Sequence, residues 1–193
     1  NDDELPADIV VFSIGVKPDS KLAREAGLDV LPAGKPGAGA ILVDDRFRTS
    51  DPSIRALGDA IAFRHPVTGV VGVTPLAGPA NKQARLLADA LVYGDEKSRP
   101  WKGAYGTAAA KVFDLTVAST GANEKTLERL GSPSAHVIIH PSSHASYYPG
   151  AADILLTLVY DRSDGRLLGA QAYGTEGVEK RIDAAAVALQ ARL

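Results

Sequence analysis

The sequence has 193 residues, enough for one or two compact domains, and 45% of them are hydrophobic, so it can bury real cores. A formal net charge of −2 and the lack of a basic block argue against nucleic acid or an anionic membrane as a partner. No apolar run approaches the roughly 20 residues of a bilayer span, and the acidic start Asn1-Asp2-Asp3-Glu4 is unlike a secretory leader, so we expect a cytoplasmic protein. The chain has no cysteine, which excludes a disulfide or a thiolate nucleophile within it.

The first half of the chain alternates short apolar runs with segments rich in glycine and proline, which indicates an α/β arrangement. In chain order we predict a buried strand at Asp8–Ser13, a helix at Lys21–Ala26, a loop at Leu31–Gly39, strands at Ile41–Val43 and Ile54–Leu57, a hairpin tip or loop edge at Thr68–Val73 and a helix at about Ala80–Tyr93. Pro79 suits the first turn of the last helix, where a missing N–H costs nothing. Apolar positions 84, 87, 88, 91 and 92 would form its buried face.

Strands dominate the second half. The predicted elements are strands at Lys111–Ala118, His136–His140, Ile154–Tyr160 and Leu167–Tyr173, a helix at Asn123–Leu130 and an alanine-rich helix over 178–193. The turn Arg162-Ser163-Asp164-Gly165 ends in Asp-Gly, a strong hairpin signal, and Asn123 is a suitable helix N-cap. This order predicts an antiparallel α+β domain, so we divide the chain into residues 1–104 and 105–193.

Gly58-Asp59 is the first candidate for a ligand site. It follows a predicted strand, where the carboxyl edge of a sheet meets ligands, and its carboxylate can accept hydrogen bonds from hydroxyl groups. The alternative is a turn aspartate with no ligand. The helix start around Leu76, Ala77 and Asn81 is the second candidate, because free N–H groups at a helix N-terminus stabilise negative charge. Its alternative is an ordinary helix start.

Tyr147 and Tyr148 lie in a loop between Pro141 and Gly150, where their hydroxyl groups could act as proton donors or pack across an interface. His136, His140 and His144 recur every four residues, but on a strand the first two would lie about 13 Å apart, too far to bind one metal ion. We therefore expect no metal site. Lys180-Arg181 at a helix start indicates either an anionic partner or a solvated charge pair.

The order and spacing of these signals resemble one family. The segments that carry the resemblance are Thr49–Ala60, Pro75–Gln83, Lys111–Leu115, Thr120–Glu124, His144–Ala151, Leu168–Gln171 and Gly177–Asp183. They are similar to the second flavin-binding motif, the helix that follows it and the C-terminal dimerisation domain of the FAD-dependent pyridine nucleotide-disulfide oxidoreductases. Within that family, the segments look like the coenzyme A-disulfide reductase and NADH oxidase branch.

The resemblance implies roles for particular residues. Asp59 would hold the ribityl chain of FAD, with Thr49 and Gly58 lining its approach. Leu76, Ala77 and Asn81 would lie along the pyrimidine side of the flavin. Tyr147 or Tyr148 would act catalytically, offered across a homodimer formed through residues 105–193 to the partner's active site. NAD(P)H would be the co-substrate, and coenzyme A disulfide or another disulfide or persulfide the acceptor.

The same resemblance implies that the chain is a C-terminal fragment. The first FAD-binding Gly-x-Gly-x-x-Gly, the redox cysteine and nearly all of the NAD(P)H domain are missing, and neither end carries the signals of a natural terminus. We therefore expect residues 1–193 alone to bind FAD weakly or not at all and to show no reductase activity. Two alternatives stay open: an NADH oxidase or peroxidase parent, and a dimerisation module without chemistry.

Overall fold

A computed structural model describes residues 4–35 and 37–193; most of the acidic start and Pro36 of the predicted loop lie outside these residues. The first half contains α1 (Lys21–Glu25), β1 (Ile41–Leu42), a 3-10 turn (Gly58–Ala60), β2 (Ile61–Arg64), β3 (Val71–Gly72) and α2 (Ala77–Tyr93). β1 runs parallel to β2, with Ile41 opposite Ile61, and β2 forms an antiparallel hairpin with β3. The hairpin confirms the prediction for residues 68–73.

The apolar segment Asp8–Ser13 does not form the predicted strand. Its residues have no regular secondary structure, and Ile9, Val11 and Phe12 are each more than 80% exposed. The reason is the lack of a neighbour, because no strand among the described residues pairs with this segment. β-branched composition favours a strand only where an adjacent strand satisfies its backbone groups.

The predicted strand Ile54–Leu57 is also wrong. This segment turns back on the residues before it, with Ala56 N–H donating to Phe47 O at 3.0 Å and Thr49 N–H donating to Ile54 O at 3.1 Å. The strand of this region is β2, which begins after Gly58-Asp59 and not before it. Asp59 therefore precedes a strand and does not lie at a carboxyl edge of the described sheet.

Helix α2 begins at Ala77, three residues earlier than predicted, with Pro79 as its third residue. Its buried face is formed by Gln83, Leu87 and Ala90, whereas Leu91 and Val92 are 67% and 71% exposed. The predicted apolar face is thus wrong except at Leu87. Leu87 packs in a core with four buried residues of the preceding and following segments, Phe47, Ile61, Phe63 and Ala104.

The second half is a five-stranded antiparallel sheet with strand order β4-β5-β8-β7-β6. Its elements are β4 (Ala108–Val112), β5 (Leu115–Gly121), α3 (Glu124–Arg129), β6 (Ser134–Ile139), β7 (Ile154–Asp161), β8 (Leu167–Gly174) and α4 (Val178–Ala191). The predicted strand Lys111–Ala118 is in fact two strands joined by a tight turn at Phe113-Asp114, where Phe113 adopts a φ of 52°. The Asp-Gly hairpin between β7 and β8 and the Asn123 cap, which accepts from Thr126 N–H at 2.8 Å, confirm the sequence predictions.

Helix α4 covers one face of this sheet. Val178, Ile182 and Ala185 pack on β7 and β8 residues including Ile154 and Ala170, both fully buried. The opposite side is closed near α3, where Gly169 lies against the backbone of Ala122 so tightly that a Cβ on Gly169 would stand 2.0 Å from Ala122 O. The expected α+β architecture of the second half is confirmed.

A hairpin tip links the two halves. Val67 packs against the core formed by Ala122, Leu127, Val159 and Leu168. His65 accepts hydrogen bonds at Nδ1 from Val67 N–H at 3.2 Å and Thr68 N–H at 3.3 Å, and burial lowers the pKa of its imidazole. Among the helices of the described residues, none has the length and apolar character needed to cross a membrane.

Candidate functional site

The turn Gly58–Ala60 lies on the first turns of α2. Gly58 N–H donates to Gln83 Oε1 at 2.7 Å, and a Cβ on Gly58 would meet Ala80 Cβ at 4.0 Å. Gly58 has a φ of 78°, a conformation that a side chain would strain. The structure therefore brings the Gly58 turn against α2, although the β2–β3 hairpin lies between them in the sequence. The Gln83 side chain joins the two.

The N-terminus of α2 is available to a ligand. Its N-cap residue is Leu76, whose side chain offers no capping hydrogen bond. The N–H groups of Ala77 and Gly78 belong to the first helical turn, which carries roughly half a positive charge. Asp59 directly follows Gly58 and is exposed. A carboxylate acceptor and a group of N–H donors thus lie at one junction of the chain.

Asn81 and Thr49 are less available than the sequence predicts. Asn81 Nδ2 donates to Ala77 O at 3.0 Å, within its own helix. Thr49 Oγ1 is 2.9 Å from Asp51 O and 3.1 Å from Ile54 O, so this hydroxyl closes its own turn. Thr49 also lines a shallow groove with Asp29 and Arg48, and neither Gly58 nor Asp59 is among the lining residues described.

Gln83 is the residue that sequence reasoning missed. Its side chain is only 1% exposed, which is rare for a glutamine in a helix. Its amide oxygen holds the Gly58 backbone, so it fixes the position of Asp59 relative to α2. The only signal in the sequence is its spacing, because Gln83 lies four residues before Leu87 on the buried face.

An ion-pair network stabilises residues 46–55, the segment that precedes Gly58. Asp95, in the loop after α2, accepts hydrogen bonds from Arg55 at 3.0 Å and from Arg48 Nε at 3.0 Å. These hydrogen bonds lower the pKa of Asp95 to about 2, and the bond from Arg55 has the larger effect. Arg55 also donates to Arg46 O at 2.6 Å. The loop after α2 thereby holds the turn in front of Gly58-Asp59.

Tyr147 and Tyr148 lie in the second half, between β6 and β7. Tyr148 packs edge-on against the His144 ring, with 5.1 Å between ring centroids and an interplanar angle of 78°. Tyr148 also lines a cleft of about 390 Å³ with residues from the start of α4, among them Glu176, Glu179 and Lys180. Tyr147 is 89% exposed.

His136, the first residue of the histidine series, is paired with a carboxylate. His136 Nδ1 pairs with Glu124 Oε1 at 2.7 Å, and within residues 4–35 and 37–193 no three potential ligands come together to hold a metal ion. Arg181, one of the two cations at the start of α4, donates to Ser142 O at 2.9 Å. That cation has a structural partner in the chain.

Comparison with known proteins gives two matches to one family. Residues 1–84 match the pyridine nucleotide-disulphide oxidoreductases, and residues 107–193 match the dimerisation domain of the same family. Among curated proteins, the NAD(P)H sulfur oxidoreductase (CoA-dependent) of Pyrococcus abyssi is 36% identical over 188 residues. That alignment covers 97% of this chain and 40% of the relative, so the chain spans about 40% of the length of that relative.

Solved structures give the same result. The chain is 46% identical to the reduced CoADR-RHD of Bacillus anthracis (TM-score 0.87), covering 94% of this chain and 31% of that one. It is 40% identical to a NAD-dependent persulfide reductase from A. fulgidus (TM-score 0.89), with coverage of 97% and 33%. It is 36% identical to a FAD-dependent pyridine nucleotide-disulphide oxidoreductase from Desulfovibrio vulgaris (TM-score 0.78), with coverage of 98% and 43%.

The two family matches follow the order of the two sheets along the chain, and they confirm the resemblance found from the motifs around Asp59 and Tyr148. The chain belongs to the pyridine nucleotide-disulphide oxidoreductases.

Proposed function

We propose that this chain forms part of a flavoprotein reductase that moves electrons from NAD(P)H through FAD to coenzyme A disulfide or a related persulfide. Residues 1–104 would contribute part of the FAD site, and residues 105–193 would form the homodimer interface. The names of the relatives support this choice, since they combine NAD(P)H, coenzyme A and sulfur acceptors. The 193 residues contain no cysteine, so any thiol chemistry of the enzyme is supplied from outside them.

The observation that carries the FAD assignment is the contact of Gly58, which precedes Asp59, with Ala80 and Gln83 in the first turns of α2. FAD carries ribityl hydroxyl groups and a pyrimidine edge that becomes electron-rich when it is reduced. The exposed Asp59 carboxylate is an acceptor for hydroxyl groups, and the first N–H groups of α2 suit negative charge. Gly58 leaves its side open for a close approach, because only Ala80 would lie within 4 Å of a Cβ there.

The residues present therefore fit the part of FAD that they would hold. Asp59 would bind the ribityl chain, Leu76 and Ala77 would lie along the pyrimidine edge, and Gly58 would border the approach. Thr49 and Asn81 would shape the site without binding FAD directly, since their polar side-chain atoms already form hydrogen bonds with the backbone. When bound, FAD would take a hydride from NAD(P)H and pass electrons to the sulfur acceptor. Gln83 would keep Asp59 in place throughout.

We also propose a cellular location for the enzyme and a role for the two loop tyrosines. NAD(P)H and reduced thiols are both available in the cytoplasm, where disulfides are scarce, so we place the enzyme there. Tyr147 or Tyr148 would reach the active site of a second subunit from the loop after β6. A tyrosine hydroxyl at that position could donate a proton to the sulfur leaving group.

The Asp59 assignment is tested by replacing its carboxylate with an amide of the same shape. In the complete gene product, Asp59→Asn removes the charged acceptor, whereas Asp89→Asn makes the same change at an exposed position in the middle of α2. A charge-assisted hydrogen bond contributes about 1.5–3 kcal/mol, so we expect Asp59→Asn to weaken FAD binding about 10- to 100-fold. The flavin content of the purified proteins and a titration of the apoproteins with FAD measure this. Equal FAD affinity in the two variants would contradict the assignment.

The electron acceptor is tested separately. NADH and NADPH oxidation by the complete gene product is followed with coenzyme A disulfide, with a coenzyme A persulfide and with oxygen alone. We expect the two sulfur acceptors to support turnover well above the oxygen rate. A preparation that turns over only with oxygen would identify an oxidase instead. Residues 1–193 expressed alone should be colourless and inactive, and a FAD-saturated, NADH-oxidising preparation of them would refute the fragment proposal.

A further inference from the structure

The β2–β3 hairpin has both of its ends at the proposed flavin site. β2 begins directly after the turn that contains Asp59, and the chain that leaves β3 continues into Leu76, the N-cap of α2. In β2, Ile61 and Ala62 are each 1% exposed and Phe63 is 7% exposed, so the strand is held in the core. A change in the position of this hairpin therefore acts on Asp59 and on the start of α2 at once.

The opposite end of the hairpin reaches the second half of the chain. We call residues 65–70, which connect the two strands, the β2–β3 loop. Val67 in this loop packs against a core of the second half whose members are each at most 4% exposed, namely Ala122, Leu127, Val159 and Leu168. One apolar side chain of the first half thus lies against a hydrophobic core of the second half.

The segment that joins the two halves runs along the β2–β3 loop. Tyr105 O accepts a hydrogen bond from Gly121 N–H at 2.7 Å, which ties this segment to the end of β5. On the loop side, burial lowers the pKa of the His65 imidazole, and a hydrogen bond with the Tyr105 backbone raises it by a smaller amount. A Cβ on Gly103 would stand 2.8 Å from Pro66 Cγ, so the joining segment and the loop are in close contact.

His65 gives the β2–β3 loop its shape. Its ring nitrogen Nδ1 accepts hydrogen bonds from Val67 N–H at 3.2 Å and from Thr68 N–H at 3.3 Å. Its backbone N–H donates to Val70 O, and its carbonyl accepts from Gly69 N–H, both at 2.9 Å. A nitrogen that accepts from two N–H groups carries no hydrogen itself, so the hydrogen of the neutral ring is on Nε2. His65 therefore fixes the backbone at Val67, whose side chain makes the contact with the second half.

We propose that the β2–β3 loop couples the second half of the chain to the flavin site. Val67 makes the contact between the halves, neutral His65 holds Val67 in place, and the hairpin carries this constraint to Asp59 and the start of α2. Both loop residues are positioning residues, because neither belongs to the proposed flavin contacts. The flavin part of this inference rests on the proposed function. The second half of a chain would then strengthen FAD binding by its own subunit through a contact that includes no flavin-binding residue.

The coupling is tested in the complete gene product with two valines of the same loop. Val67→Ala and Val70→Ala remove the same two methyl groups, but Val70 is 46% exposed and lies outside the core that Val67 contacts. We expect Val67→Ala to weaken FAD binding by the apoprotein about 3- to 30-fold and Val70→Ala to stay within about twofold of wild type. FAD is titrated at a temperature at which circular dichroism shows both variants folded, so a general loss of stability does not enter. Equal FAD affinity in the two variants would overturn the coupling.

The role of His65 is tested by rescue. His65→Ala removes the acceptor, and we expect it to weaken FAD binding about as much as Val67→Ala does. In His65→Asn, the amide oxygen can accept from the backbone N–H two residues on, so its FAD affinity should return to within about threefold of wild type. An asparagine variant as weak as the alanine variant would overturn the acceptor role of Nδ1.

A second measurement needs no FAD and uses the 193-residue chain. In nuclear magnetic resonance spectra, we expect the His65 ring to carry its hydrogen on Nε2 and the Val67 methyl groups to show Overhauser contacts with Leu168. His65→Ala should lose these contacts, and His65→Asn should keep them. A hydrogen on Nδ1, or contacts that persist in His65→Ala, would overturn the role of His65. A complete wild type that binds no FAD would overturn the proposed function and the flavin part of the coupling, while these spectra still decide whether His65 and Val67 hold the two halves together.

Discussion

The contact between Gly169 and Ala122 gives the sharpest stability prediction. A Cβ at position 169 would stand 2.0 Å from Ala122 O and 2.8 Å from Ala122 N, where van der Waals contact needs about 3.3 Å. Gly169→Ala must therefore push β8 from the residues that follow β5 by about an ångström. This shift breaks the hydrogen bond from Ala122 N–H to Leu168 O, now 2.9 Å long.

The expected cost combines two effects. Overpacking of a tight core costs about 1–3 kcal/mol, and the broken backbone bond about 1 kcal/mol more. At about 2–4 °C per kcal/mol for a chain of this size, the thermal midpoint should fall by about 5–15 °C. The control is Gly165→Ala in the β7–β8 turn, where φ is 76° and no atom lies within 4 Å, so only the strain of a left-handed residue remains, about 1–2 kcal/mol.

Differential scanning calorimetry of both variants measures these midpoints, with circular dichroism as a check that each variant is folded at low temperature. If Gly169→Ala lowers the thermal midpoint by less than about 4 °C, the two segments are not in the close contact described.

Two further stability predictions concern the first half of the chain. The Asp95 pKa of about 2 lies below its ordinary value, so the ion pairs with Arg55 and Arg48 stabilise the fold above about pH 4, and this contribution is lost as the pH falls through about 2. Urea midpoints should therefore fall more steeply with acid in wild type than in Asp95→Asn; equal slopes would contradict this. Gln83→Ala leaves Gly58 N–H without its partner, so calorimetry should show a loss of about 1–3 kcal/mol, while Lys82→Ala on the exposed face should change stability by less than about 0.5 kcal/mol.

The second half could be predicted well because its signals are local. The apolar run Ile154–Tyr160 has neighbouring strands on both sides, and the Asp-Gly turn and the Asn123 cap each act over three or four residues. The turn at Phe113-Asp114 was missed because it contains no glycine or proline. Phe113 takes a left-handed conformation there, which the tight pairing of Val112 with Leu115 imposes.

The first half shows where sequence reasoning ends. Ile54–Leu57 has the composition of a strand, but hydrogen bonds to Phe47 and Thr49 turn it into a loop, and no local pattern encodes those bonds. The roles of Asp59 and of the start of α2 are indicated by the order of motifs, not by any single residue. The burial of Gln83 depends on the packing of α2 against Gly58, so only the folded structure reveals it.

The unpaired segment at residues 8–13 has a consequence for handling the protein. Ile9, Val10, Val11 and Phe12 form an exposed, apolar stretch whose backbone groups have no ladder partner among the described residues. Such a stretch is a template onto which a strand from any other molecule can add, and proteins normally blunt it with charge, proline or cover. In a concentrated solution we therefore expect this stretch of four exposed apolar residues to promote self-association of the polypeptide.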